Sequence, residues 1–345
     1  MLEKVAIFSR AARKRVLCLA LAILLCSAVF GCAPARKSFS DTYFDLFDSY
    51  ASLTVITDSQ DTFDGYNALF EQTVREYHKL LDAYNSYDNA VNVHSLNSAP
   101  PISAVQISQE LFDFLSYARH AYSLTCGYTS VTLGAVTSVW KQAIADEVPP
   151  SPAMLEAASE HVDVSSLVLD RNALTVTFRD PELRLDVGAI AKGYVADVAA
   201  QALIDAGCES FLIDLGGTLR AHGQKENSKS WRAGITDPRA RESNGFSLDI
   251  SGKALSSSGS YHRGFEQGGT LYHHIIDPTT LQPKNTFVSV SVLCPSGADA
   301  DALSTALFSM SLEDGQALVA SLENTDAVWM LTDGSTYTTD GIKGQ

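Results

Sequence analysis

The sequence predicts a mixed α+β fold, on three observations. Apolar residues recur at helical spacing over 62–84, over 108–124 and after Gly188. Short β-type runs alternate with them at 50–57, 174–178, 183–185, 211–214 and 327–331. The apolar share of 46% and the charged share of 19% are those of an ordinary globular chain. About 310 residues follow Cys32, enough for one large or two modest domains.

The N-terminus reads as a targeting segment. Lys4, Arg10, Arg13, Lys14 and Arg15 form a basic start, and Val16 to Phe30 an apolar run short for a membrane span. Val29-Phe30-Gly31-Cys32 resembles a bacterial lipobox, with Phe30 bulkier than the usual residue. On that reading residues 1–31 are a signal peptide and 32–40 are the lipidated Cys32 and a polar tether. Residues 41–345 are then a body held at the extracytoplasmic face of a bacterial cell membrane. An uncleaved anchor helix is the alternative, and it leaves the body on the same side.

The chain carries a net charge of -15, and without residues 1–31 about -19. Such a charge argues against nucleic acid and anionic membrane surfaces as partners. An anionic cofactor must be held by local devices: a helix end, a lysine or a metal. Cys126, Cys208 and Cys294 form neither a disulfide framework nor a zinc spacing, and read as buried, inert thiols.

The elements follow in order. Tyr50 to Thr57 is a strand, and 62–84 a helix with Leu69, Val74, Tyr77, Leu80 and Leu81 on one face. Tyr84 to Asp88 and Ser95-Leu96-Asn97 read as turn chemistry walling a site. Ser108 to Leu124 is amphipathic and stops at Cys126-Gly127. The prolines of 146–153 mark a loop, and Val168 to Phe178 a hairpin around Arg171-Asn172.

Asp186 to Asp197 is the organising stretch. A strand turns at Gly188-Ala189 into a helix carrying Ile190, Tyr194 and Val198. The N-terminus of that helix favours an anion, Lys192 adds a positive charge, and Gly188 permits close backbone approach. A small-residue corner packing a helix on a sheet is the plainer reading of the same residues.

This stretch resembles the signature D-[LVF]-G-[GA]-I-A-K-G-Y-x-[AV]-D of the ApbE family, the FAD:protein FMN transferases. Other segments resemble that family's motifs in the same order. Phe47 lies in an F-D-S segment, which by resemblance is near the flavin. Tyr128, Thr129 and Ser130 fall where the family contacts FAD, with Ser130 at a usually acidic position and Ala135 at a usual proline. Gly216-Gly217-Thr218 has threonine where the family has Asn or Asp. Trp231 to Pro238 matches a motif that reads as a core strand and an Asp-Pro turn. Ala254 to Arg263 reads as a hydroxyl-rich loop, with Ser257 for the usual threonine beside Ser258 and Gly259. His274 stands at the histidine needed for transfer, and Leu281 replaces a glycine, so the turn after Asp277-Pro278 should be built differently. Asp301 and Thr305 share a helix face and offer hard oxygens to Mg²⁺. Asp333-Gly334 reads as a hairpin turn, although Asp333 to Thr336 also resembles the start of the flavinylated motif.

The resemblance covers Tyr43 to the C-terminus. It implies a single α+β domain of the ApbE, T-fold-like type with the site between two lobes. It implies FAD as substrate, Mg²⁺ held by Asp301, Thr305 and the carbonyls of Ala189 and Ser304, and Asp186, Lys192, Ser257, Ser258, Gly259 and His274 among the flavin contacts. His274 is then also the catalytic residue. The reaction implied is Mg²⁺-dependent transfer of FMN to a threonine of an acceptor protein carrying a D-G-x-[ST]-type motif, such as a membrane redox subunit, with release of AMP. An FAD pyrophosphatase using water, or a non-catalytic flavin-binding lipoprotein, are the rival readings.

Overall fold

In the computed structural model, which describes residues 36–88, 90–239, 245–261 and 263–343, the period-two runs assemble into one eight-stranded sheet. Its strands are β1 (Lys37–Leu46), β2 (Ser49–Thr57), β3 (Phe211–Leu215), β4 (Thr218–His222), β5 (Ala254–Gly259), β6 (Phe287–Cys294), β7 (Asp326–Leu331) and β8 (Thr336–Thr338). They lie in chain order, and every neighbouring pair from β2 onward is antiparallel. Five helices matter to the site: α1 (Gln60–Leu81), α2 (Gln109–Leu124), α3 (Gly134–Asp146), α4 (Ala191–Asp205) and α5 (Gly297–Ser309). The basic and apolar N-terminal segment with Cys32, and His262, lie outside the described residues.

Successive side chains of a strand point to opposite faces, and here both faces are covered. Leu53, Val55, Phe211, Ile213 and Leu215 meet Phe63, Phe70 and Val74 of α1 and Val195, Ala199 and Leu203 of α4. On the same face Val290, Val292, Ala327 and Trp329 pack on Leu303, Ala306 and Leu307 of α5. One residue along each strand, Leu255, Leu293, Val328 and Met330 face the other way. They meet Trp231, Ala233, Ile235 and Leu248 of a ribbon formed by Arg232–Ile235 and Phe246–Asp249. The ribbon confirms the core-strand reading of the Trp231 segment. The alanines of α4 let it sit centrally, buried along Ala191, Val195, Ala196, Ala199, Ala200 and Leu203.

Local signals place the helix ends. Ser59 and Ser108 cap α1 and α2 through Thr62 N–H and Leu111 N–H. Gly127, at φ +86°, turns the chain after α2. Leu167–Asp170 and Thr175–Phe178 pair around the expected turn, and Gly334 at φ +98° closes the β7–β8 hairpin. Among the described residues no helix is long and apolar enough to cross a membrane.

Three expectations are corrected. Residues 38–40, read as tether, belong to edge strand β1: Ser38 N–H donates to Glu226 Oε1 at 2.8 Å and Phe39 stacks on Phe63. Ala254 to Gly259 is not a loop but β5, because both its neighbours pair with it and Ala254 and Leu255 fill opposite cores. Cys126 is exposed, at φ +52° in the turn after α2, whereas Cys208 and Cys294 are buried. A maleimide should therefore label the native body, residues 33–345, once at Cys126 and three times after denaturation, as read by intact mass. Burial holds the Cys294 thiol up at about 12, which adds to its inertness.

Candidate active site

The site is built on the crossing of α4 and α5, and two glycines permit that crossing. A Cβ on Gly193 would stand 2.1 Å from the Gly297 carbonyl oxygen and 2.6 Å from Asp301 Cβ. The first turns of the two helices therefore touch, and each caps the other. Asp301 of α5 accepts the Gly193 N–H of α4 at 2.9 Å through Oδ2. Asp197 of α4 accepts the Gly297 and Ala298 N–H groups of α5, and also the Ser296 hydroxyl and Arg220. Both carboxylates sit at the positive ends of helix dipoles, where negative charge is stabilised.

The helix end expected to receive an anion is thus partly taken by Asp301. Of its first N–H groups, that of Ala191 goes to the Val187 carbonyl and that of Gly193 to Asp301. Ile190 is the N-cap rather than the first helical residue, and it offers no capping side chain. Among the described residues no N–H donates to the carbonyl of Ala189, the residue just before it.

β5 supplies the opposite wall. Ser256 donates to Asp301 Oδ1 at 3.0 Å, and Thr218 of β4 lies 3.0 Å from the Ser256 hydroxyl. Two residues on, Ser258 meets the hydroxyls of Ser304 at 2.9 Å and Thr305 at 3.2 Å. Ser257 is exposed on the other face of the strand, bonded to Ser291, so of the two serines that sequence reading singled out one is turned away from Asp301, and Ser256 was missed. A loop reading hides this difference; strand alternation decides it. Gly259 is buried at the end of β5, under the Tyr261 ring.

A second cluster surrounds Asp186, whose side chain is 20% exposed. Lys141 of α3 stands 3.0 Å away, Thr137 one turn earlier donates at 2.7 Å, and the Gly188 N–H donates at 3.0 Å. Burial opposes ionisation here, but the Lys141 ammonium, the Thr137 hydroxyl and the Gly188 N–H together hold the carboxyl below its ordinary range. Neither Lys141 nor Thr137 was expected; their i, i+4 spacing on α3 was the available signal. Asn97 fixes the approach to Asp186, its amide bonding both backbone groups of Leu185 at 2.7 and 2.9 Å. Because the folded state holds fewer protons at Asp186 than the unfolded chain, its stabilisation is complete at neutral pH and lost as pH falls through the lowered pKa. Lys141→Met should flatten the acid limb of the melting temperature below about pH 5.

The other expected residues fall as follows. Phe47 and Asp48, both at positive φ, form the β1–β2 turn, and the Phe47 ring packs edge-on against His78. The start of β2 also meets Gly216, whose Cβ would touch Ser49 Oγ at 2.5 Å and the Lys192 stem at 3.4 Å. Lys192 is half-buried there. Tyr128 packs on the α5 core, and Thr129 is buried with its hydroxyl given to the Ala302 carbonyl. Ser130 caps the 3-10 turn Val131–Leu133. For Thr129 this bond is a structural tie to α5.

His274 is exposed, and His273 is the core histidine. Burial lowers the His273 pKa to about 4, its Nδ1 accepts the Ile275 N–H, and its Nε2–H reaches the Lys284 carbonyl. That fixes His273 as a neutral tautomer. Leu281 adopts φ +60°, so the turn keeps the left-handed conformation a glycine would take and is not built differently. The Trp140 indole N–H donates to the Leu281 carbonyl at 2.8 Å, and the side chain packs beside Trp140, which offsets a cost of about 1 kcal/mol.

Residues 47–329 match the profile of the ApbE family. The chain belongs to the ApbE family. A FAD:protein FMN transferase of Treponema pallidum (strain Nichols) is 30% identical over 285 residues, spanning 78% of each chain. One of Klebsiella pneumoniae (strain 342) is 28% identical over 261 residues, 75% of this chain and 80% of that one. The solved flavin transferase ApbE from Vibrio cholerae matches with a TM-score of 0.77 at 25% identity, covering 90% of this chain and 99% of its own. The apo flavinyl transferase ApbE of Pseudomonas stutzeri gives 0.77 and 25%, covering 90% and 96%. The mixed α+β fold is thus that of ApbE structures, and the α4–α5 crossing lies within the matched residues.

Proposed function

We infer that the protein is a FAD:protein FMN transferase, taking FAD as substrate and transferring FMN to acceptor proteins. The observation that carries the reading is one buried carboxylate. Asp301, from the last motif, is bonded to Gly193 of the organising motif and to Ser256 of the β5 motif, so three ApbE segments distant in sequence close on it.

The donor set suits Mg²⁺. Each Asp301 oxygen accepts one hydrogen bond, which leaves acceptor capacity on both. The Ala189 carbonyl accepts none from a described residue, and Thr305 and Ser304 complete a set of hard oxygens. No three His, Cys, Asp or Glu side chains gather at metal-binding spacing among the described residues, so the set rests on one carboxylate with neutral oxygens. A carboxylate here would repel a diphosphate, and a bound cation supplies the neutralising charge.

FAD binds in a cleft between two lobes, with Lys192 and its N–H at the start of α4 facing the diphosphate. An acceptor threonine oxygen attacks the FMN phosphorus, the anhydride bond breaks, and AMP leaves with the bridging oxygen. His274 takes the hydroxyl proton, a role that His273, buried and bonded on both nitrogens, cannot fill. Phe47, Tyr128, Ser130, Asp186, Ser258 and Gly259 line the flavin side. A lipid on Cys32 holds the body at the extracytoplasmic membrane face, beside acceptors that carry D-G-x-[ST]-type motifs.

The test incubates the protein with FAD, Mg²⁺ and a protein bearing such a motif, reading acceptor mass and in-gel flavin fluorescence. Covalent FMN, absent with chelator, is the expected result. Free FMN and AMP without labelling would make the protein a pyrophosphatase, and intact bound FAD would make it a carrier.

A further inference from the structure

The Asp301 carboxylate is held by a chain of two hydroxyls that runs back into the sheet. Ser256 and Thr218 are each about 2% exposed, and their oxygens lie 3.0 Å apart. A serine has one hydroxyl proton, and that of Ser256 is given to Asp301 Oδ1 at 3.0 Å. Thr218 must therefore donate to Ser256, which makes the chain directional: Thr218 to Ser256 to carboxylate. Each donation strengthens the next, and the last is charge-assisted. The other carboxylate oxygen is fixed by the Gly193 N–H, so Asp301 is clamped from the sheet on one side and from α4 on the other.

We propose that Ser256 and Thr218 are positioning residues that orient the Asp301 carboxylate for a divalent cation. The proposal rests on the metal reading above. It also explains Thr218, the departure from the motif's usual Asn or Asp: its hydroxyl is directed into the sheet toward Ser256. Partners that orient a metal ligand typically contribute 10–100-fold in metal affinity, and a buried hydroxyl chain ending on the ligand is such a partner.

Mn²⁺ uptake by the full-length chain in detergent, followed by electron paramagnetic resonance with and without FAD, tests it. The native chain should take up Mn²⁺ and Asp301→Asn should not. A native chain that takes up none with FAD present, or an Asp301→Asn chain that binds like native, would sink the metal reading and the proposal with it. With that control passed, Ser256→Ala should weaken Mn²⁺ binding by about 10–100-fold. Thr218→Val should weaken it less, and Thr218→Ser should restore it. Transfer by Ser256→Ala should show a raised KM for Mg²⁺, with kcat recovering at high metal. Native Mn²⁺ affinity in both Ser256→Ala and Thr218→Val would overturn the proposal alone. So would an equal loss of FAD binding in chelator, since a fold defect acts without metal. Should Ser256→Ala not fold, the Thr218 pair decides, because valine keeps the shape of threonine while removing its hydroxyl.

Discussion

Asp301→Asn is expected to lower flavin transfer by about 10³-fold while leaving the protein folded. Asparagine keeps an acceptor for the Gly193 N–H and the shape between α4 and β5, so the crossing survives. What it removes is the negative charge that a cation needs. Asp301→Ala should lose the same activity and also about 1–3 kcal/mol of stability, since it strands the buried Gly193 N–H and the Ser256 hydroxyl. Transfer rates and thermal melts of the two variants separate the roles. Near-native transfer by Asp301→Asn would refute the metal assignment; equal melting of both variants would refute the capping role.

Gly193→Ala should force the crossing of α4 and α5 open. Its Cβ would meet the Gly297 carbonyl at 2.1 Å and Asp301 Cβ at 2.6 Å, and neither neighbour is the end of a flexible side chain. The helices must move apart, which breaks the Gly193–Asp301 bond as well. A loss of about 3 kcal/mol is expected, lowering the melting temperature by roughly 5 °C, together with transfer. Gly65→Ala is the contrast. Gly65 lies mid-helix in α1 with nothing within 4 Å of its Cβ, and alanine should raise stability by about 1 kcal/mol. Calorimetry on the two variants checks both signs, and a Gly193→Ala chain that melts like the native protein would contradict the close crossing.

Helix and strand positions were legible because they are local. Amphipathic runs located α1 and α2, and Asp333-Gly334 located the last hairpin. The site was legible in part. Asp301 and Thr305 reach Gly193 and Ser258 from one face of α5, whereas the turn at Leu281, read as built differently, keeps the left-handed conformation of a glycine. Ser256 was passed over because the hydroxyl-rich segment reads as a loop until its two sheet neighbours are seen.

Apart from β5, read as a loop, and residues 183–185, read as a strand that does not form, the sequence by itself determined the amphipathic helices, several strands and the order of the family motifs. Those follow from periods of 3.6 and 2 within a single element. Only the tertiary structure decided that Asp301 reaches Gly193 across 108 residues and Ser256 across 45, that Lys141 holds Asp186, and that Cys126 rather than its fellow thiols meets solvent. A period reports which side of an element is apolar but carries no record of what lies opposite. That is settled by how closely two helices can approach, and here the missing side chains of Gly193 and Gly297 set the distance.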